Sequence, residues 1–273
     1  MRPEELESLI LQKKSFLCVG LDPDLSKFPI CLQGNDLTES VLEFNQNIIR
    51  ATLPYAVAYK PNYAFYESLG SVGHTILTQT LSFIPDEIFV IADAKRGDIG
   101  NTSSMYAKAV FDFPGVNAIT VAPYMGKDSI LPFLQNPNHW VFVLALTSNP
   151  GSQDFQYLEC NGKKLYEWVM EKSLSWNLEA NGTIGFVVGA THSEDLPAIK
   201  KLAPDSFFLV PGVGAQGGDL EAVLKCLAPK VLINVGRQIL YASTGADYAE
   251  AAAKEARNLH SKFADFFRLD GKE

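Results

Sequence analysis

The stretch IFVIADAKRGDIGNT (88–102) contains the unit from which the rest of the chain is built. It opens with a continuous apolar run, Ile88 to Ala92, rich in β-branched and aromatic residues. An unbroken run of this kind reads as a strand covered on both faces. The sequence then turns polar at Asp93 and passes Lys95, Asp98 and a glycine before the next segment begins. Seven further runs follow the same plan: FLCVGL (16–21), YAVAY (55–59), AITVA (118–122), WVFVLAL (140–146), TIGFVV (183–188), FFLV (207–210) and VLINV (231–235). Helical periodicity separates them. Asp36 with Glu39 forms an N-cap-like pair ahead of Val41, Phe44 and Ile48 on one face. KLYEWVMEKSLSW (164–176), DLEAVLKCLA (219–228) and DYAEAAAKEARNLHSKF (247–263) are further helices. At the N-terminus Leu6, Leu9 and Ile10 line one stripe of a helix with three glutamates, which reads as a capping helix and not as a signal peptide. Eight buried strands alternating with helices predict an α/β fold, a (β/α)8 TIM barrel, with residues 1–273 as a single domain. A doubly wound open sheet is the alternative, but no Gly-rich fingerprint follows the first strand.

Composition limits the function classes. Apolar residues make up 47% of the chain and charged residues 20%, as in ordinary globular proteins. A net charge of −8 argues against a nucleic-acid partner. No segment has the apolar length to span a membrane, so no membrane partner is expected. Cys18, Cys31, Cys160 and Cys226 are scattered without CxxC spacing and read as structural thiols of a cytoplasmic protein. His74, His139, His192 and His260 have no metal-ligand spacing and receive no role.

A barrel keeps its chemistry at the C-terminal ends of its strands. Asp22 follows the first run, Lys60 and Asn62 the second, and Asp93, Lys95 and Asp98 the third. Ser148 follows the fifth and opens the longest irregular stretch, 148–162. Period-two alternation puts Asp93 and Lys95 on the inward face with Phe89 and Ile91. Buried charges are costly unless paired, so a charged network of Lys60, Asp93, Lys95 and Asp98 is expected there. A second constellation suits phosphate. PGVGAQGG (211–218) lets backbone N–H groups approach an anion, and Gln216 can donate from its side chain. Gly236 and Arg237 follow the last strand, where a short helix can begin and the guanidinium can grip phosphate oxygens.

These segments resemble a known family. DAKRGDIGNT resembles the Asp-x-Lys-x-x-Asp signature of orotidine 5'-phosphate decarboxylases, and GLDPD, YKPNYAFYE, APYMG, TSNPGS, PGVGAQGG and NVGRQI follow in that family's order. The likeness runs from about residue 16 to 240 and is similar to the family's longer bacterial branch. It implies cofactor-independent decarboxylation of orotidine 5'-phosphate to uridine 5'-phosphate (UMP), with Lys95 stabilising the C6 carbanion and donating the proton. It implies a homodimer in which Asp98 and Thr102 act across the interface. Asp22 and Thr102 would bind ribose hydroxyls, Ser148 the pyrimidine ring, and Gln216, Gly236 and Arg237 the phosphate, with Asn62 a further contact. No cofactor and no metal are expected. Two rivals are a metal-dependent sugar-phosphate decarboxylase or aldolase of the same superfamily and a non-catalytic nucleotide-binding module. The metal-dependent relatives need a carboxylate at the end of the second strand, where this chain has Lys60.

Overall fold

The computed structural model describes residues 1–34, 36–213 and 218–269. Its strands are β1 (Leu17–Leu21), β2 (Ala56–Pro61), β3 (Phe89–Arg96), β4 (Ala118–Val121), β5 (Trp140–Leu146), β6 (Glu159–Cys160), β7 (Lys163–Lys164), β8 (Thr183–Val188), β9 (Phe208–Pro211) and β10 (Val231–Val235). The helices are α1 (Pro3–Lys13), α2 (Leu37–Thr52), α3 (Tyr63–Glu67), α4 (Gly73–Ser82), α5 (Gly100–Phe111), α6 (Ser152–Phe155), α7 (Leu165–Asn177), α8 (Leu196–Leu202), α9 (Leu220–Leu227), α10 (Arg237–Leu240) and α11 (Tyr248–Leu269). Eight strands close a barrel in the order β1-β2-β3-β4-β5-β8-β9-β10. All eight apolar runs read from the sequence are barrel strands. The stretch 148–162, expected to be irregular, contains α6 and one strand of the small antiparallel hairpin β6–β7.

The chain divides into two compact units. One comprises Met1–Glu7, Ala94–Asp112 and Asn117–Ile233; the other comprises Ser8–Asp93, Phe113–Val116 and Asn234–Glu273. In the second unit Asp36 caps α2 by accepting from the Thr38 and Glu39 amides, and Val41, Phe44 and Ile48 are fully buried, as their spacing predicts. Phe16 enters β1 and meets Phe263 edge-on at 5.7 Å and Phe267 stacked at 5.0 Å, which fastens α11. Buried Asn45 donates to the Tyr66 hydroxyl (3.2 Å) and to Thr80 Oγ1 (2.9 Å), so its amide nitrogen finds partners inside the core. In the first unit β4, β5, β8 and β9 pair in parallel. Buried Trp140 packs edge-on to Phe207 at 5.2 Å and satisfies its indole N–H on the Met1 carbonyl.

Three of the four histidines have structural surroundings. His139 stacks on Phe111, His74 packs against Phe113, and the His260 ring meets the Lys13 carbonyl at 2.9 Å. No helix among the described residues is long and apolar enough to cross a membrane.

Candidate active site

In the second unit β2 and β3 lie in parallel register, with Ala58 opposite Phe89 and Tyr59 opposite Val90. This brings the two strand ends side by side. Lys60 and Asp93 are 5% and 8% exposed, and Lys60 Nζ donates to Asp93 Oδ2 at 2.7 Å. Removing each ion from water costs several kcal/mol, and the direct pairing offsets that cost. Burial alone would lower the Lys60 ammonium; the charges of Asp93 and Asp22 outweigh burial and raise it. Lys60 is therefore a fixed cation. Cys18 sits in the same surroundings on β1, and burial pushes its thiol up to about 12 against the opposing field of Lys60. It is a neutral packing residue and not a nucleophile.

Asp22 follows β1 in this unit. The Tyr241 hydroxyl donates to the Asp22 carbonyl and accepts from the Asp24 amide, both at 2.6 Å, so Tyr241 fixes the turn that carries Asp22. Sequence reading missed Tyr241, because 219 residues separate it from Asp22. A Cβ on Gly20 would come within 3.1 Å of Gly236 Cα, so the close approach of Gly236 to β1 leaves little room for a side chain at position 20. A Cβ on Gly236 would lie 3.6 Å from Asp22 Oδ2. Exposed Arg237 opens α10 beside this point. Asn62 forms a backbone bridge with Asp93 and caps α3, accepting from the Ala64 amide at 3.3 Å.

In the first unit the end of β3 departs from the strand's alternation. Lys95 is exposed, and its backbone turns left-handed with φ +46°. Asp93 takes the buried position expected of both, and Lys60 is its ion-pair partner. The reason is local: a positive φ breaks the pleat at the strand's end, so period two no longer fixes the side chain. Such a conformation costs roughly 1–2 kcal/mol in a residue other than glycine, and held strain of this kind gathers at functional positions. The Lys95 amide donates to Thr120 Oγ1 at 2.9 Å, which holds the turn. Three residues later, half-buried Asp98 accepts from the Ile99 amide and, through its carbonyl, from Ser103, so it opens α5. Thr102 is exposed on the first turn of α5. Ser148 is half-buried just past β5. Gln216 lies outside the described residues. Among the described residues no group of three or more His, Cys, Asp or Glu is placed to hold a metal ion.

A polar cluster that sequence reading did not find lies behind Ser148 in the same unit. His192 Nε2 meets the Thr147 carbonyl at 2.8 Å, and its Nδ1 meets the Tyr157 hydroxyl at 2.9 Å. Tyr157 donates to Asp195 at 2.6 Å, and Lys164 and Tyr166 donate to the same carboxylate at 2.8 and 3.2 Å. Burial would raise the Asp195 carboxyl, but these hydrogen bonds, that of Lys164 foremost, outweigh it and hold the group below its ordinary range. No sequence pattern announces the cluster, because its members span residues 147–195.

Comparison with known proteins decides the family. The sequence pattern of the orotidine 5'-phosphate decarboxylase / HUMPS family matches residues 15–254. The chain belongs to that family. A relative from Flavobacterium johnsoniae named orotidine 5'-phosphate decarboxylase is 51% identical, over 97% of this chain and 98% of its own. One of the same name from Christiangramia forsetii is 50% identical over the same shares. The solved structure of Leishmania donovani OMP decarboxylase superposes with a TM-score of 0.79 at 38% identity, covering 95% of this chain and 99% of that one. The match extends slightly beyond the span marked by the sequence motifs.

Proposed function

We propose that this chain decarboxylates orotidine 5'-phosphate to UMP without a cofactor, and that Lys95 carries the reacting charge. Family membership over nearly the whole chain supports the substrate. The observation that carries the chemistry is the segment Asp93–Lys95, in which a carboxylate is locked to buried Lys60 and a strained, accessible ammonium stands two residues on. Breaking the bond from C6 to the carboxylate releases CO2 and leaves the electron pair on C6, in the ring plane, where the π system does not readily delocalise it. A fixed positive charge at that place stabilises the developing carbanion. The Lys95 ammonium then gives its proton to C6, and solvent restores the ammonium. Lys60, Asp93 and Asp98 keep the field around it defined.

In this reading Asp22 and Thr102 hold the ribose, Ser148 the pyrimidine, and Gln216, Gly236 and Arg237 the phosphate, with Asn62 beside them. The active form is a homodimer in which Asp98 and Thr102 serve the partner's site. Exposed Ile99 (53%) and Met105 (54%), at the start of α5 and within it, support a partner at this helix. The four unpaired cysteines fit a reducing compartment, the cytoplasm.

The test is turnover of orotidine 5'-phosphate by the purified, exhaustively chelated protein, followed as loss of the substrate's ultraviolet absorbance. Sustained turnover is expected. No turnover, or turnover only after magnesium is added, would move the assignment to the metal-dependent branch.

A further inference from the structure

The turn after β5 is fixed more heavily than a surface turn requires. Thr147 is tied at three of its polar groups. Its amide donates to Gln156 Oε1 at 2.7 Å, and its hydroxyl accepts from Gln156 Nε2 at 2.8 Å and donates to Asn149 Oδ1 at 2.6 Å. Its carbonyl faces His192 Nε2 at 2.8 Å. A carbonyl only accepts, so Nε2 carries a proton and donates. Behind the ring the contacts continue through Tyr157 to Asp195, which Lys164 and Tyr166 also reach. The Lys164 ammonium also lies 4.7 Å from the centre of the Tyr157 ring. Ser148 itself is seated from the other side. Any Cβ at position 189 would fall 2.7–2.8 Å from the Ser148 backbone and Cβ, and the Gly189 amide donates to the Leu146 carbonyl at 2.7 Å. The excursion 152–164 and the turn after β8 thus converge on the two residues that follow β5.

We propose that His192, backed by Tyr157 and Asp195, is a positioning device that holds Ser148 in the orientation the pyrimidine requires. This rests on the reading of Ser148 given above. The physical reason is economy of geometry: a single hydroxyl on a turn specifies a ring only if its backbone is held to a fraction of an ångström. A histidine supplies this hold because its ring is rigid and carries a polar nitrogen on each side, Nε2 toward the Thr147 carbonyl and Nδ1 toward the Tyr157 hydroxyl. Neither His192 nor Tyr157 touches the substrate in this arrangement, so both act through Thr147.

Four proteins test it: wild type, His192→Ala, His192→Gln and Tyr157→Phe. Each is assayed for turnover, for competitive inhibition by UMP and by ribose 5-phosphate, and for thermal melting. His192→Ala is expected to lose roughly ten- to a hundredfold in kcat/KM, the scale of a misplaced contact. UMP binding should weaken while ribose 5-phosphate binding stays constant, because only UMP carries the base. His192→Gln, whose amide nitrogen can donate to the same carbonyl, should recover most of the loss. Tyr157→Phe should lose less, in the same direction. If His192→Ala does not fold, the Gln and Phe variants carry the test through the ratio of UMP to ribose 5-phosphate affinity. Unchanged kcat/KM, equal weakening of both inhibitors, or no recovery in a folded His192→Gln protein would overturn the proposal. A wild-type chain that does not turn over the substrate would overturn the parent reading instead, which separates the two failures.

Discussion

At the end of β3 the polar side chains are charged and close in sequence. Asp93, Lys95 and Asp98 lie within six residues, and Lys60 reaches Asp93 from the adjacent strand. At the end of β5 the segment itself carries no charge, and Thr147 and Ser148 are held by Asn149 and by residues from 156 to 195. The first region places charge; the second places backbone. The difference should appear in what a substitution costs. Loss of charge at the β3 end should remove the reaction while leaving exposed parts of the fold intact. Loss of a tie at the β5 end should degrade orientation by degrees.

The largest effect is expected at Lys95. Lys95→Ala should lower kcat by at least about a thousandfold, since it removes both the stabilising charge and the proton donor. Lys95 is exposed, so the variant should stay folded, which urea unfolding measures. The same variant sharpens the question of sharing. Lys95→Ala and Asp98→Ala chains, each impaired alone, should regain activity when mixed and allowed to exchange subunits, because one site of the mixed dimer then collects neither change. Verified mixed dimers that remain as inactive as their parents would confine Asp98 to its own subunit.

Lys60 should behave in the opposite way. Lys60→Met takes the bonded ammonium away from the buried Asp93 carboxylate, and breaking a buried pair from one side costs about 3–5 kcal/mol. Adding Asp93→Leu removes the buried carboxylate as well, so the double variant should be more stable than Lys60→Met and should regain none of the activity. If the double variant turns over substrate like the wild type, the pair is a packing feature and the β3 end is not electrostatic in the sense argued above.

The two regions also differ in what the sequence disclosed. The barrel was legible because eight apolar runs are buried on both faces, and a charged residue at the end of such a run stands out. Lys60 and Asp93 were found in that way. The exposure of Lys95 was not legible, because a single positive φ undid the alternation from which its direction was inferred. The hairpin β6–β7 escaped because strands of two residues each have no period to read. Tyr241 and His192 escaped for a different reason. Each acts on a backbone carbonyl far away in sequence, and a carbonyl has no sequence signature. The contacts that hold a site in place are therefore the part that requires the structure.

The smallest expected effect tests the β5 end through pH. The Asp195 carboxyl ordinarily titrates at 3.8 and is held lower in the folded chain; burial opposes this, and the donors Lys164 and Tyr157 prevail. A group with a depressed folded value contributes stability above its unfolded value and loses it as pH falls through the folded one. Asp195→Asn should therefore be less stable than the wild type near neutrality. The gap should be on the order of 1 kcal/mol, because Lys164 is partly exposed and water screens the pair. It should narrow as pH drops below the ordinary carboxylate value, where the wild type loses the same charge. Denaturant midpoints of the two proteins, measured from neutral pH into the acid range, follow this directly. A gap that stays constant across that range would mean that Asp195 contributes shape and hydrogen bonds but no charge, and the β5 end would then be free of electrostatics altogether.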